Sequence, residues 1–276
     1  MMRNLVVFSL CVALICAAED SGSSSEPEHV HHDQRIIDGE LAKPGQFPYI
    51  VRMTMNNKYN IPSSCAGIIL SEVFLLSAGH CCFKASNVTV SDLNAKEDDG
   101  TEQIRSQMDV VVHENYVDEI PPPNDICFLK LHDPLIFNEY VSSIPLPGSY
   151  EEMLSGQRFL IVGWGLTWYP GASTSRELRW GMVDNFNFEE CRRQYSQHDC
   201  LVNEDMICAA GRYPDNFDTC DGDSGGPLVK FDPQGTNLLA GIASWGYKCG
   251  LPDFPGVYTK VSHFVDWIQE QKRNYS

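Results

Sequence analysis

Basic residues are scarce in this chain relative to acidic ones. The 276 residues include 20 Lys and Arg against 37 Asp and Glu, and the formal net charge is −17 at pH 7. This shortage of cations argues against binding to nucleic acid or to an anionic membrane, because both present phosphate groups that need cationic partners. Acidic charge instead favours solubility and the approach of cationic proteins. We therefore expect neither a nucleic-acid partner nor a membrane partner.

The chain also lacks an apolar run long enough to cross a bilayer. Its longest run, from Leu5 to Ala18, follows Arg3 and is shorter than the roughly 20 residues that a membrane helix needs. A short apolar run after a positive charge, ending in small residues, is typical of a secretory signal peptide. We predict that residues 1–18 are such a peptide and that the mature protein is secreted.

Aliphatic residues larger than alanine are almost absent from residues 19–35, where Val30 is the only one. A segment of this composition buries too little apolar surface to order itself. The histidines of the segment, at positions 29, 31 and 32, have no cysteine among them and no defined ligand spacing. We interpret residues 19–35 as a propeptide and predict no metal site there.

The most informative segment is Gly222–Pro227, which places Ser224 among glycines and directly after Asp223. A serine hydroxyl becomes a useful nucleophile only when a base takes its proton and donors hold the oxyanion that forms. An isolated motif of this kind would be a glycine-rich turn. Six fixed residues with Cys220 just upstream favour a nucleophile loop instead, and this predicts a matching histidine and carboxylate elsewhere.

Two further segments provide them. His80 follows an apolar run, and Asp125 opens another. Their order, His80, Asp125 and Ser224, is that of chymotrypsin and differs from the orders of subtilisin and the α/β-hydrolases. From Ile36 onward the chain therefore resembles the trypsin/chymotrypsin-like serine protease family, as a trypsin-like member. The resemblance implies a protease domain over residues 36–276.

The resemblance implies an all-β fold of two six-stranded antiparallel β-barrels with a C-terminal helix and the site in the cleft between the barrels. We place the barrels at about 36–145 and about 146–260. Short apolar runs between turns agree with this class. Helical spacing of Val261, Phe264 and Ile268 predicts the final helix, with Ser262 as a candidate cap.

The resemblance also implies roles for the three residues. Ser224 is the nucleophile, His80 the general base and then acid, and Asp125 the group that orients His80. The backbone N–H groups of Gly222 and Ser224 form the oxyanion hole. The implied partners are protein or peptide substrates, an activating protease and protein inhibitors. We expect a monomer without a cofactor.

The resemblance implies that the precursor is activated by cleavage between Arg35 and Ile36. Cleavage there frees the amino group of Ile36, which in this family pairs with the carboxylate at the position of Asp223. A buried carboxylate needs such a partner, because an unpaired buried charge is costly. The propeptide holds no cysteine, so we expect its release on cleavage.

The resemblance implies a substrate preference through Asp218, which lies six residues before Ser224. In this family the residue at that position lies at the base of the specificity pocket, and an aspartate there selects Lys or Arg. Small residues at Gly246 and Gly256 keep such a pocket open. The resemblance assigns these residues to substrate binding, together with Ser244 and Trp245 of the edge that pairs with substrate backbone. Asp221 adds negative charge at the mouth of the pocket.

Lys248 departs from the trypsins, which have glycine there. Turned inward, its ammonium would oppose Asp218; the favoured interpretation is that it extends to solvent. A chymotrypsin-like or narrow specificity is therefore the alternative function, followed by a non-catalytic homologue. The complete triad argues against the latter.

Nine cysteines follow the signal peptide. The family pattern implies three disulfides: Cys65–Cys81, Cys191–Cys208 and Cys220–Cys249. Cys82 and Cys127 each follow a triad residue by two positions, so contact between His80 and Asp125 would bring them near each other. We predict a fourth disulfide, Cys82–Cys127, which leaves Cys200 as an odd thiol.

Two surface features complete the predictions. Asp92, Asp99 and Glu102 match the spacing of the family's calcium loop, but a solvated acidic loop explains them equally well, so no metal is assigned. Asn87 begins the sequon Asn-Val-Thr, which predicts glycosylation in a surface loop.

Overall fold

The computed structural model describes residues 39–56, 62–82, 85–90, 93–95, 97, 100–166, 174–211, 217–251 and 253–276. The predicted signal peptide and propeptide, with Arg35 and Ile36, lie outside the described residues. Asp92 and Asp99 of the acidic loop also lie outside them. No helix in the described part of the chain is long and apolar enough to cross a membrane.

Antiparallel strands dominate the described residues. In chain order they are β1 (Glu40–Leu41), β2 (Ile50–Asn56), β3 (Pro62–Ile69), β4 (Phe74–Ser77), β5 (Ala85–Val90), β6 (Gln103–Arg105), β7 (Met108–Val112), β8 (Cys127–Leu131), β9 (Arg158–Gly163), β10 (Arg179–Asn185), β11 (Met206–Ala210), β12 (Pro227–Phe231), β13 (Asn237–Trp245) and β14 (Gly256–Lys260). The helices are α1 (Gly79–Cys82), α2 (Phe188–Ser196) and α3 (Val261–Asn274).

The N-terminal sheet comprises seven strands in the order β6-β5-β2-β3-β4-β8-β7. Its central strands are rich in apolar residues, and Met53, Ile68, Leu75 and Leu129 are fully buried. Between β4 and β8, Ser77 pairs with Cys127. This register brings the chain after β4, which carries His80, beside the chain before β8, which carries Asp125.

The C-terminal barrel closes on itself. Its six strands follow the order β10-β11-β14-β13-β12-β9, and a β9–β10 ladder from Arg158–Asp184 to Gly163–Arg179 completes the ring. With the N-terminal sheet as a half-barrel and α3 at the end, this confirms the predicted all-β, two-barrel fold class. One boundary was wrong: β1 falls within the range assigned to the first barrel but pairs with β10.

The C-terminal helix α3 is confirmed, and its predicted apolar face is buried at Val261, Phe264 and Ile268. The predicted cap was wrong. Lys260 occupies the N-cap position without a side-chain hydrogen bond. Ser262 lies inside the first turn, fully buried, and donates to the carbonyl of Glu151 at 2.9 Å, because α3 begins directly after β14.

Helix α2 was not among the predicted elements. Its cap is Asn187, whose side chain accepts a hydrogen bond from the backbone N–H of Glu190 at 2.9 Å. An Asn followed three positions later by Glu is a helix-start signal that could have identified it. The helix buries Cys191 and Tyr195 toward the C-terminal barrel.

Candidate active site

The Ser224 loop joins the two halves of the molecule. The backbone N–H of Ala66 in β3 donates to the carbonyl of Ser224 at 2.8 Å. On the other side, the N–H of Gly225 donates to the carbonyl of Ala243 in β13, also at 2.8 Å. These bonds fix the backbone of the predicted nucleophile in the cleft between the N-terminal sheet and the C-terminal barrel.

Position 225 requires glycine for two reasons, its backbone conformation and the close approach of neighbouring atoms. Its φ is +81°, in the left-handed region that side chains disfavour. A Cβ atom there would lie 2.2 Å from Oγ of Ser77 and 2.3 Å from the carbonyl oxygen of Ala66. Any side chain would therefore push the Ser224 loop away from the N-terminal sheet.

Gly222 also has a left-handed conformation, with φ at +102°. A Cβ atom there would lie 2.8 Å from Cγ2 of Thr174. Gly222 and Ser224 are separated by one residue in a turn closed by a 2.9 Å bond from Asp223 N–H to the Cys220 carbonyl. The two candidate oxyanion donors thus belong to one tight loop.

His80 and Asp125 are in direct contact. Nδ1 of His80 lies 2.8 Å from Oδ2 of Asp125, and the backbone N–H of His80 donates to Oδ1 at 2.9 Å. Gly79 allows this approach, because a Cβ there would lie 3.1 Å from the same Oδ1 and 2.9 Å from the ring of Tyr116. Both carboxylate oxygens therefore hold His80 in one orientation.

Two residues of the C-terminal barrel complete the surroundings of Asp125. The hydroxyl of Ser244 donates to Oδ2 at 2.6 Å, and that of Thr259 donates to the backbone carbonyl at 2.7 Å. The sequence predicts Ser244 only on the substrate edge and does not single out Thr259. Neither contact has a local sequence signal, because both residues are more than a hundred positions from Asp125.

The contact between His80 and Asp125 favours the charged form of each group and shifts their pKa values in opposite directions. Burial would lower the pKa of His80, but the charge and hydrogen bond of Asp125 reverse this and hold the pKa above its usual value. Burial would raise the pKa of Asp125, but the charge of His80 and the bonds from His80 and Ser244 hold it below its usual value. Asp125 is thus an anion that stabilises a protonated His80.

Asp223 is buried in a space that two glycines provide. Its carboxylate accepts from the N–H of Gly165 at 2.7 Å and from that of Cys220 at 3.0 Å. A Cβ atom on Gly163 or Gly165 would lie 2.0 or 2.1 Å from a carboxylate oxygen. Burial raises the pKa of Asp223 to about 6. Among the described residues no cation forms an ion pair with it.

A cavity of about 110 Å³ opens beside Ser224. Its walls include Thr219, Cys220, Asp221, Ser224, Ala243, Ser244, Trp245, Gly246, Lys248, Cys249 and Gly256. The disulfide between Cys220 and Cys249 joins two of the walls. The structure therefore brings four of the five predicted substrate-binding residues around one cavity, next to the predicted nucleophile.

The fifth, Asp218, lies behind that cavity and is 2% exposed. Its Oδ2 accepts from the N–H of Gly250 at 2.9 Å, whereas Oδ1 has no hydrogen-bond partner among the described residues. A Cβ on Gly256 would lie 2.7 Å from Oδ1. Burial raises the pKa of Asp218 to about 7.

Lys248 lies at the rim of the cavity and is exposed. Its ammonium lies over the ring of Tyr247, 5.4 Å from the centroid. No ion pair joins it to Asp218 in the described part of the chain. The inward orientation that would oppose Asp218 is not adopted.

Four disulfides join the pairs Cys65–Cys81, Cys82–Cys127, Cys191–Cys208 and Cys220–Cys249. These are the pairs that the sequence analysis expected. Cys200 is a buried thiol outside them. The first two disulfides flank His80 and Asp125.

The described residues offer little to a metal ion. Cys65, His80 and Cys81 lie close together, but the two sulfurs are joined to each other and are not free ligands. Of the acidic loop, Glu102 is described, and its carboxylate accepts from the N–H of Gly100 at 3.0 Å. Its other two candidate ligands lie outside the described residues.

The location expected for Asn87 was wrong. It lies within β5, half-buried and opposite Thr54 of β2, and not in a loop. The β-branched run Val88-Thr89-Val90 explains the strand. Glycosylation of Asn87 stays a prediction.

Comparisons with known proteins agree on one family. The family model described as Trypsin matches residues 36–268. Trypsin-1 from Astacus astacus is 34% identical over 241 residues, covering 85% of this chain and 98% of the relative. Anionic trypsin from Canis lupus familiaris is 35% identical over 237 residues, covering 86% and 89%. Putative trypsin-6 from Homo sapiens is 33% identical over 238 residues, covering 86% and 90%.

Proposed function

The chain belongs to the trypsin family of serine proteases, and we propose that it is a secreted endopeptidase, made as a zymogen, that hydrolyses peptide bonds after Arg or Lys. One observation carries the specificity: the buried Oδ1 of Asp218, which has no hydrogen-bond partner among the described residues, lies behind the cavity next to Ser224. A guanidinium or ammonium entering that cavity would satisfy this oxygen. The names of the relatives also favour this specificity.

In the proposed reaction, Oγ of Ser224 attacks the scissile carbonyl carbon while Nε2 of His80 takes the hydroxyl proton. The N–H groups of Gly222 and Ser224 stabilise the tetrahedral oxyanion. His80 then passes its proton to the leaving amine, and an acyl-enzyme remains. Water attacks this ester with the same assistance and releases the acid and free Ser224. Asp125 orients His80 and stabilises its cationic form throughout.

The proposed zymogen switch depends on Asp223. Its burial without a cation in the described chain supports a partner that arrives later. We assign that partner to the amino group of Ile36, freed by cleavage after Arg35. The pair would hold the turn that carries Gly222 and Ser224, so the oxyanion hole would form only after cleavage. Residues 1–18 would direct secretion, and residues 19–35 would leave as the propeptide.

The test is to express the precursor, cleave it at Arg35 with trypsin, remove the trypsin, and add a serine-directed fluorophosphonate. Peptide mapping should find the label at Ser224 in the cleaved protein and little in an Arg35→Gln precursor treated identically. Amide substrates with Arg and with Phe before the bond then compare specificities. Absence of label after verified cleavage would favour a non-catalytic homologue, and preference for Phe would favour the chymotrypsin-like alternative.

A further inference from the structure

Lys248 has a backbone conformation that favours glycine. Its φ is +58°, which only a few per cent of non-glycine residues adopt. An unfavourable conformation of this kind persists only where the surrounding structure holds it, and such positions cluster at functional sites. Lys248 lies between Tyr247 and the disulfide-bonded Cys249, and it lines the specificity cavity. The position therefore suggests that the lysine has a role there.

The ammonium of Lys248 rests on a fixed support. It lies 5.4 Å from the centroid of the Tyr247 ring. That ring stacks on His198, with centroids 5.6 Å apart and planes at 14°, and meets Phe254 edge-on at 4.7 Å. The backbone N–H of Tyr247 donates to the hydroxyl of Tyr195 at 3.2 Å. The ammonium thus lies over a ring that three neighbouring residues hold in place.

The position of the rim relative to a substrate follows from strand geometry. On the proposed function, the substrate pairs with the edge Ser244–Gly246 and places its Arg or Lys side chain in the cavity. In an extended chain, side chains two residues apart point to the same side and are separated by roughly 6.6 Å. The third residue before the scissile bond therefore projects on the cavity side, farther along the edge, toward Tyr247 and Lys248.

The cavity lining carries one charge of each sign. Lys248 is the only cation lining the cavity among the described residues, and Asp221 is the only anion. Asp221 follows Cys220 and Lys248 precedes Cys249, and the disulfide joins the two walls of the cavity that carry them. Asp221 lies beside Gly222 of the oxyanion loop, whereas Lys248 lies beyond the end of the substrate edge.

We infer that Lys248 selects substrates with Asp or Glu at the third residue before the cleaved bond. Its ammonium would pair with that carboxylate while Asp218 binds the Arg or Lys. The preferred sequence is then an acidic residue, any residue, and Arg or Lys. This inference rests on the proposed function and narrows its substrate class.

The test compares three peptide amides that end in Ala-Arg before the reporter group and carry Asp, Ala or Lys ahead of them. For the activated enzyme at low salt, we expect kcat/KM to be about fivefold higher with Asp than with Ala, which is the upper range for an exposed ion pair. The Lys peptide should be cleaved more slowly than the Ala peptide. The ratios should approach one at high salt, because screening weakens exposed pairs.

Three variants distinguish an effect of Lys248 itself from an effect of the protein's net charge. Lys248→Gln should bring the Asp-to-Ala ratio close to one, and Lys248→Arg should preserve it. Lys43→Gln removes one exposed charge from the turn that follows β1 and should preserve it as well. Fluorophosphonate labelling of Ser224 checks that each variant is folded.

Equal cleavage of the three peptides by the unmodified enzyme would overturn the inference, as would equal loss of the ratio in Lys248→Gln and Lys43→Gln. Failure to cleave any Arg peptide is a different result, because it would overturn the proposed function and the inference with it.

Discussion

Ser244, on β13 of the C-terminal barrel, donates a 2.6 Å hydrogen bond to the same carboxylate oxygen of Asp125 that faces Nδ1 of His80. Asp125 is carried by the N-terminal sheet, so this bond crosses the cleft. Its donor also lines the cavity of about 110 Å³ next to Ser224. The orientation of His80 therefore depends on how the two halves of the molecule meet.

Ser244→Ala should lower kcat/KM by about tenfold, because a hydrogen bond to a charged group contributes about 1.5–3 kcal/mol and part of this is recovered by water. The pKa of Asp125 should rise, since one of the bonds that lower it is lost. Steady-state kinetics across pH would measure both. The matched control is Ser149→Ala, which removes an exposed Ser-to-Asp bond at 2.9 Å. Equal kinetics in the two variants would contradict this role for Ser244.

Affinity for a cation in the specificity pocket should fall as the pH drops through about 7. Burial raises the pKa of Asp218 to about 7, so below this pH the carboxyl of the free protein is neutral and cannot pair with a cation. At still lower pH the loss should approach tenfold per pH unit. Calorimetric titration with benzamidine, which imitates the arginine head group, would measure it.

The control is Asp218→Asn, which keeps the shape of the side chain and should bind benzamidine weakly and with little pH dependence. Constant affinity of the unmodified protein between pH 5 and 8 would show that Asp218 does not receive the cation. Asp218→Ser should lower activity on Arg substrates by orders of magnitude while Ser224 stays reactive toward fluorophosphonate. Equal loss of both would mean that Asp218 supports the fold.

Gly225→Ala should abolish labelling of Ser224, because the new Cβ would lie 2.2 Å from Oγ of Ser77. Gly235→Ala is a close control: its φ is +82° against +81° for Gly225, but nothing lies within 4 Å of its Cβ. In the control, the unfolding free energy should fall only by the cost of a side chain in the left-handed backbone conformation, about 1–2 kcal/mol. Chemical denaturation and labelling would separate conformation from contact, and full reactivity of Gly225→Ala would refute the contact argument.

Replacing both Cys82 and Cys127 with alanine should reduce the unfolding free energy by about 2–4 kcal/mol, since the disulfide closes a loop with a sequence separation of 45 residues. Thermal unfolding of the activated, inhibited enzyme would measure this. Cys200→Ala, which removes a buried thiol outside the disulfides, is the comparison. No measurable loss in the double variant would show that the disulfide adds no stability.

Much of the fold could be predicted because several signals were local. The GDSGGP loop has a distinctive sequence, and the apolar spacing from Val261 to Ile268 is helical over its whole length. The surroundings of the site could not be predicted in the same way. Thr259 reaches Asp125 across 134 positions, and Ala66 reaches Ser224 across the cleft. Such contacts depend on the packing of strands, which no short motif specifies.

The errors have a similar origin. Ser262 is a residue type that often caps helices, but the cap position falls two residues earlier, at Lys260, because β14 runs directly into the helix. Asn87 belongs to a sequon, yet the β-branched residues after it extend the sheet through that position. In both cases the neighbouring strand decided the local structure.

The 2.8 Å bond from Ala66 to Ser224 has a consequence for how the enzyme would fail. Together with the bonds from Ser244 and Thr259 to Asp125, it is both a part of the site and a part of the seam between the barrels. The seam cannot open without moving the nucleophile away from its base. Inactivation and separation of the two halves are then a single event. An inhibitor that binds across the cleft should therefore also stabilise the folded protein.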